Sequence, residues 1–371
     1  MIGEINLFLL NRLDFERVRS LFRKMDMHLP LQAILAGNVI APIYVDNPIN
    51  PQVAMTWTGH RIYLAGTPGN TELIRAARKI FLENFSMSAW NEGIDSYFLG
   101  YPTPKWEPFV QSMLQQKYPI KNNRLYFSRS AGREEPVNLP EGFSISFVDR
   151  DFLAKSWSNL DYLTDEMVSE RVSVEDFLDK SFGVCLTNND LIVGWCLSEY
   201  NTGHRCEIGI SVHPDFRLRG FAVLLTKAFI NQARTLEYAK FGWHCHAGNV
   251  GSAATALKAG FEKISDYPVY MGWFDDVINI ANNGYFAHGR GEFTEALDFY
   301  EKAFSLGDAP DWAFWGAACD AAMIGEVDKA FKYLDMAIDH GFDDPDQIMG
   351  SKYLQNLHDK EGWSVILKRV Q

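Results

Sequence analysis

Cysteine is scarce in this chain: five residues among 371, an odd number, with no CxxC spacing. That argues against a disulfide framework or a cysteine-built zinc site, and buried reduced thiols are expected. Long apolar runs are absent too. No stretch approaches the roughly 20 apolar residues that a membrane span requires. The opening run, Met1 to Asn11, carries Glu4 and lacks both a basic start and a small-residue cleavage site, so a cytoplasmic protein is expected. Basic residues are outnumbered, 35 against 47 acidic, for a net charge of −12. Such a field disfavours nucleic acid and better suits a cationic or amine-bearing small molecule, although a solubilising charge is the plainer account.

What is present suits packed domains throughout: 47% of residues are apolar and 14% aromatic. A chain of this length exceeds one hydrophobic core. Three segments separate by pattern. Residues 1–136 hold strand-like runs at Ile43–Val45, Val53–Trp57 and Arg61–Ala65, then a helix over Thr71–Asn84 capped by Asn70 or Thr71, and end in a polar linker over 130–136. Residues 137–272 alternate strands and helices: strands at Phe143–Val148, Gly183–Thr187, Leu191–Glu199, Arg205–Val212, Lys240–His246 and Val269–Phe274, with helices at Val168–Leu178, Gly220–Leu236 and Val250–Ala259. A central sheet with crossover helices is implied, an α/β (α+β) class. Residues 273–371 are helical and repeat internally. Gly291, Glu292, Ala296, Phe299 and Ala303 recur as Gly325, Glu326, Ala330, Tyr333 and Ala337, each offset by 34. That is the period of tetratricopeptide (TPR) repeats, and Leu354, Leu357, Trp363, Ile366 and Leu367 would form a terminal cap.

The chemistry concentrates in the loop Arg217-Leu218-Arg219-Gly220-Phe221-Ala222, between a strand and a long apolar helix. A helix N-terminus presents unpaired N–H groups and positive dipole, so it can cradle a pyrophosphate. Gly220 and Ala222 let the backbone approach the phosphates, and Arg217 and Arg219 add charge. A second motif comes later in the chain: Asn249 after the strand Phe241–His246, Ser252 three residues on, and Gly260-Phe261 closing the helix. Together Arg217-x-x-Gly220-x-Ala222 and the asparagine motif resemble the GCN5-related N-acetyltransferase (GNAT) family. Tyr44-Val45-Asp46-Asn47-Pro48, Tyr63-Leu64-Ala65-Gly66 and the Asn70 helix look like the N-terminal half of the subfamily containing the zwittermicin A resistance acetyltransferase. The resemblance covers residues 1 to about 272. It implies a divergent acetyltransferase-like first domain supporting a catalytic GNAT domain.

The resemblance also implies roles. Acetyl-CoA would be the donor. Ser211 and Val212 would face it with their backbones, the Val212 N–H polarising the thioester carbonyl, while Arg217 to Ala222 hold the diphosphate and Asn249 with Ser252 lies along the pantetheine arm. Relatives place a tyrosine acid seven residues after the asparagine, where this chain has Ala256. Either solvent protonates the leaving thiolate or another group does, with Tyr267, Tyr270 and His246 as the substitutes. Glu207, on the strand entering the loop, is the candidate base, useful if burial raises its pKa. The pair His244-x-His246 shares a strand face but has no companion ligands in sequence, so no metal is expected. The acidic run Asp161, Asp165, Glu166, Glu170 could attract a cationic acceptor or be a solvated helix face. The expectation is an N-acetyltransferase acting on a primary amine of a small molecule. Its rivals are an acyl-CoA sensor that relays through the repeats, and an acetyltransferase whose peptide acceptor the repeats present. A structural or homodimer-forming repeat is the plainer role for so few units.

Overall fold

A computed structural model describes residues 6–370. Twelve strands form one sheet: β1 (Phe8–Leu9), β2 (Ile43–Val45), β3 (Val53–Thr58), β4 (Arg61–Gly66), β5 (Ser96–Gly100), β6 (Ile120–Ser130), β7 (Phe143–Phe147), β8 (Gly183–Asn188), β9 (Leu191–Thr202), β10 (Arg205–Val212), β11 (Lys240–His246) and β12 (Glu262–Trp273). Their order across the sheet is β1-β2-β3-β4-β5-β12-β6-β11-β10-β9-β8-β7. The first five strands follow chain order and β11 to β7 run in reverse, with two strands exchanged between them. β6, last of the early strands, pairs antiparallel with β11, and β12, last of the later ones, lies beside β5. Each half of the sheet is therefore completed by a strand from the other half.

Ten helices frame the site and build the C-terminal array: α1 (Leu29–Leu35), α2 (Thr71–Ile80), α3 (Asp161–Ser169), α4 (Phe221–Thr235), α5 (Val250–Lys258), α6 (Asp276–Gly289), α7 (Phe293–Leu306), α8 (Asp311–Met323), α9 (Val327–Asp339) and α10 (Trp363–Arg369). None of the described helices is long and apolar enough to cross a membrane. Asn70 starts α2 by accepting from the N–H groups of Glu72 and Leu73, both at 3.1 Å. The helix expected to Asn84 is regular only to Ile80 and widens into a π turn over Phe81–Phe85. The single helix expected over Val168–Leu178 is instead two, α3 and a second at Val174–Lys180 capped by Ser173. The final strand starts at Glu262 rather than Val269.

The chain divides into two compact units, one of Met1–Ile80, Leu99–Phe109 and Lys121–Tyr270, the other of Phe81–Phe98, Val110–Ile120 and Met271–Gln371. In the first, α4 connects β10 to the parallel strand β11 and covers one sheet face with Phe221, Leu225, Phe229, Ile230 and Ala233, all buried. That spacing gives an apolar stripe on one side of a helix, which is why this segment docks on a sheet. β8 is buried on both faces and opens with the apolar run Gly183 to Leu186. On the opposite face α3 packs through Leu163 and Met167 against Trp195 and Leu197 of β9.

The second unit contains two helical hairpins, α6/α7 and α8/α9, in the 34-residue register of the sequence repeat. Gly291 and Gly325 take φ of 79° and 85° at the two tight turns, a conformation costly for any residue with a Cβ. Ala296, Ala303, Ala330 and Ala337 are fully buried where the helices cross. α10 closes the array, placing Trp363 and Ile366 in its core beside Leu354 and Leu357.

Candidate active site

The site begins where two strands part. β10 and β11 pair in parallel only through Arg205↔Lys240, Cys206↔Phe241 and Glu207↔Gly242. Beyond that point β10 stays paired with β9 to Val212, and β11 stays paired with β6 to His246, so a gap opens between them. A bulge marks the same level. The register steps from Glu207↔Tyr200 to Ile208↔Ser198, leaving Glu199 as the extra residue of β9. The His213 N–H donates to the Val193 carbonyl at 2.8 Å, which fixes the alternation along β10. Ser211 and Gly209 turn their main-chain groups to β9, whereas Ile208, Ile210 and Val212 turn theirs into the gap. The Val212 carbonyl accepts from Arg217 Nε at 3.0 Å.

At the end of the gap the loop before α4 forms a concave array of amides. Leu218 and Gly220 have φ of 63° and 82°, and among the described residues no acceptor meets the N–H groups of Leu218, Arg219, Gly220, Phe221 or Ala222. Successive N–H groups in that geometry, at the start of a fifteen-residue helix, make a nest for an anion. A Cβ at Gly220 would meet nothing within 4 Å, so the space above the nest is open. The Leu218 side chain is fully exposed. Arg219 donates to the Asp215 carbonyl at 2.9 Å and lies 5.2 Å over the Phe216 ring, which braces the loop.

One face of the sheet at this level is polar. Glu207 is 5% exposed and its Oε2 has no partner. Burial pushes its carboxyl up to about 7, against the opposing pull of Arg61. Its Oε1 lies 4.0 Å from Nε2 of His244. The His244 ring stacks between Tyr126 (4.6 Å) and His28 (5.5 Å). Because Nε2 faces the Met27 carbonyl at 3.3 Å as donor, Nδ1 accepts the Tyr267 hydroxyl proton at 2.7 Å. Burial drives His244 well below the ordinary imidazole range and His28 to about 3, so both rings are neutral at pH 7. Arg61 pairs with Glu170 at 2.6 Å and lies over the Tyr200 ring. Against the cost of burial, that guanidinium holds the Glu170 carboxyl below its usual range.

Beside this network lies a cavity of about 570 Å³ lined by Tyr162, Asp165, Glu166, Trp195, Glu199 and Ser211, with Ile210 at its edge. Burial raises the carboxyls of Glu166 and Glu199, the first helped by Glu170 and the second by Glu207. Gly209 makes room for Glu199, since a Cβ there would sit 2.4 Å from Glu199 Oε1. With Glu199 pushed up to about 8 and so mostly protonated at pH 7, the cavity gathers acidic groups next to the gap that an entering cation would help to ionise.

The chain matches the GNAT acetyltransferase family over residues 19–270. It belongs to that family. An acyltransferase activity follows, with acetyl-CoA as the donor general to its members. The chain is 22% identical over 268 residues to the uncharacterized N-acetyltransferase YdfB of Bacillus subtilis (strain 168), covering 70% of this chain and 97% of that protein. Among solved structures, a GCN5-related N-acetyltransferase-like protein from Streptococcus suis 89/1591 is similar at 21% identity and a TM-score of 0.52, covering 70% of this chain and 98% of that one. That likeness concerns the fold.

For the acetyltransferase site, the structure brings Val212, the loop 217–222 and Glu207 to one gap, and Tyr267 reaches Glu207 through His244. Ser211 is placed differently from the sequence expectation: its main chain is committed to β9, and only its side chain lines the cavity. Asn249 caps α5 by accepting the Ser252 N–H at 3.0 Å, and the Ser252 hydroxyl accepts from Trp243 Nε1 at 3.0 Å. Both residues have structural work whatever else they do. Ala256 is fully buried under Phe261, so no side chain reaches the gap from that position. His246 is half-buried, and desolvation lowers it to about 4. Among the described residues no cluster of three or more metal-ligating side chains occurs. His28, Arg61, Glu199 and Gly209 escaped the sequence reading. Only Glu199 carried a signal, as a lone acid in an apolar strand.

Proposed function

We infer that the first unit transfers the acetyl group of acetyl-CoA to a primary amine of a small, cationic acceptor. The observation that carries this is the parting of β10 from β11 immediately after Glu207, with Val212 main-chain groups facing the gap and the amide nest at its end. Acetyl-CoA, when bound, supplies an activated acetyl thioester. The amides of residues 218–222 hold the diphosphate, and the open space above Gly220 admits it. The Val212 N–H polarises the thioester carbonyl, and Nδ2 of Asn249 donates to the pantetheine arm. Glu207 takes the amine proton as the nitrogen bonds to the acetyl carbon and the C–S bond breaks, and solvent protonates the departing thiolate. The raised pKa of Glu207 suits a base working near neutral pH, and its unpaired Oε2 is available to accept. Tyr267 directs its hydroxyl proton at His244 and so orients the imidazole beside Glu207.

The acceptor would enter the carboxyl-lined cavity, its ammonium groups between Glu166, Asp165 and Glu199, whose ionisation it would favour, and its carbon skeleton against Trp195 and Tyr162. We assign the paired helical hairpins to the tetratricopeptide type on their 34-residue period and crossing alanines. Thiol release from acetyl-CoA against a panel of amines tests the function. Turnover should require an amine and favour diamines over neutral amines of equal length. Thiol release that is independent of amine, or tight CoA binding with no turnover on any amine, would contradict it.

A further inference from the structure

The net charge of −12 is not spread along the chain. Residues 271–371 hold 18 acidic against 8 basic side chains, whereas residues 1–270 hold 29 against 27. The acidity read from whole-chain composition therefore says little about the acetyl acceptor and much about the helical unit. A surface so charged draws cationic partners and repels polyanions.

Within that unit lies a cavity of about 470 Å³ walled by Tyr285, Trp312, Trp315, Phe342, Tyr353 and His288. Trp315 and Phe342 stack with ring centroids 4.6 Å apart, and Tyr285 is 58% exposed. Aromatic faces are electron-rich, so a wall of this kind receives a cation in preference to an anion. Behind it stands Asp320, which is completely buried. Its Oδ1 lies 2.6 Å from His288 Nδ1, and its Oδ2 has no partner. A buried carboxylate left half-satisfied is costly, and a nearby cation offsets that cost. A second cavity of about 370 Å³ shares Trp315, Gln347 and Tyr353 with the first and adds Asp346. The two together form a groove longer than one side chain.

We propose that this groove binds a basic polypeptide segment, with one arginine or lysine side chain entering the aromatic wall opposite His288 and Asp320 and neighbouring cations meeting Asp346 and the acidic surface. The proposal is independent of the acceptor chosen by the acetyltransferase site. Lys352, whose ammonium lies 4.9 Å over the Tyr353 ring, lines the second cavity and competes with the peptide.

Calorimetry on the full chain with a short synthetic Gly-Ser peptide carrying several arginines tests this. Its controls are the citrulline analogue, which keeps the shape and loses the charge, and the glutamate analogue. The arginine peptide should bind, the citrulline form about tenfold more weakly, and the glutamate form not at all. Trp315→Leu and Asp320→Asn should each weaken binding about tenfold. Tyr285→Ala, at an exposed position that does not threaten the fold, should weaken it severalfold, and Lys352→Gln should tighten it. Small-amine acetylation should be unchanged in Tyr285→Ala. No binding of the arginine peptide, equal binding of the citrulline peptide, or binding indifferent to Tyr285→Ala and Trp315→Leu would each overturn the proposal, the last by reducing the contact to non-specific attraction.

Discussion

Replacing Glu207 by Gln separates catalysis from stability, because the same burial that makes the carboxylate a useful base makes it costly to keep charged. Its carboxyl is pushed up to about 7 from an ordinary value of 4.5, with desolvation as the largest cause. At about 1.4 kcal/mol per tenfold change in proton affinity, ionising it in the folded protein costs about 3 kcal/mol. The sign follows from the raised folded value. Between pH 4.5 and 7 the unfolded chain has released this proton and the folded chain retains it, so wild-type stability falls as pH rises and levels off above about 7. Glu207→Gln keeps the shape and cannot ionise, so it escapes that loss. It should melt with the wild type at pH 4.5 and several degrees above it at pH 8, by roughly 5 °C or more. Its kcat should fall about a hundredfold to ten-thousandfold, and the rise of rate with pH near neutrality should disappear. Differential scanning calorimetry and steady-state thiol release across pH check both halves. A variant that is destabilised at every pH while retaining kcat and the pH limb would refute the reasoning and make Glu207 a structural partner of His244.

Gly209→Ala should raise KM for the amine severalfold or more and leave CoA affinity intact, because the new methyl would displace the Glu199 carboxylate rather than touch the amide nest; paired calorimetry and kinetics show this. Gly220→Ala should weaken CoA about tenfold while costing only about 1–2 kcal/mol of stability, since a left-handed φ of 82° is strained for alanine but nothing lies in the methyl's way. Arg61→Met should cost about 3–5 kcal/mol by stranding the buried Glu170 carboxylate, and adding Glu170→Leu should recover much of it, as read from denaturant midpoints.

The strands β2, β3, β4, β8 and β10 and the cap at Asn70 were legible because each is decided by local periodicity and capping chemistry. The anion nest was legible for the same reason: Gly220 and the apolar stripe of α4 are adjacent in sequence. β6 was not. Its first half, Lys121 to Arg124, is polar, and its ordering rests on distant neighbours, β12 on one side and on the other β11, which pairs with Arg124 to Ser130. The exchange of β6 and β12 likewise depends on partners more than a hundred residues away, which no local pattern records. In the site, Glu207 was readable from its place on β10, but its environment was not. His28 and Arg61 come from the early strands and helices, and the bulge that brings Glu199 alongside is a matter of pairing register.

The most direct test of the central claim, that the unpaired amides of residues 218–222 grip the diphosphate of the donor, is hydrogen exchange at those five amides with and without saturating CoA. Exchange should slow at Leu218 through Ala222 when CoA is bound, and Gly220→Ala should blunt the effect. Unchanged exchange at all five in the presence of bound CoA, with protection appearing elsewhere in the chain, would contradict it.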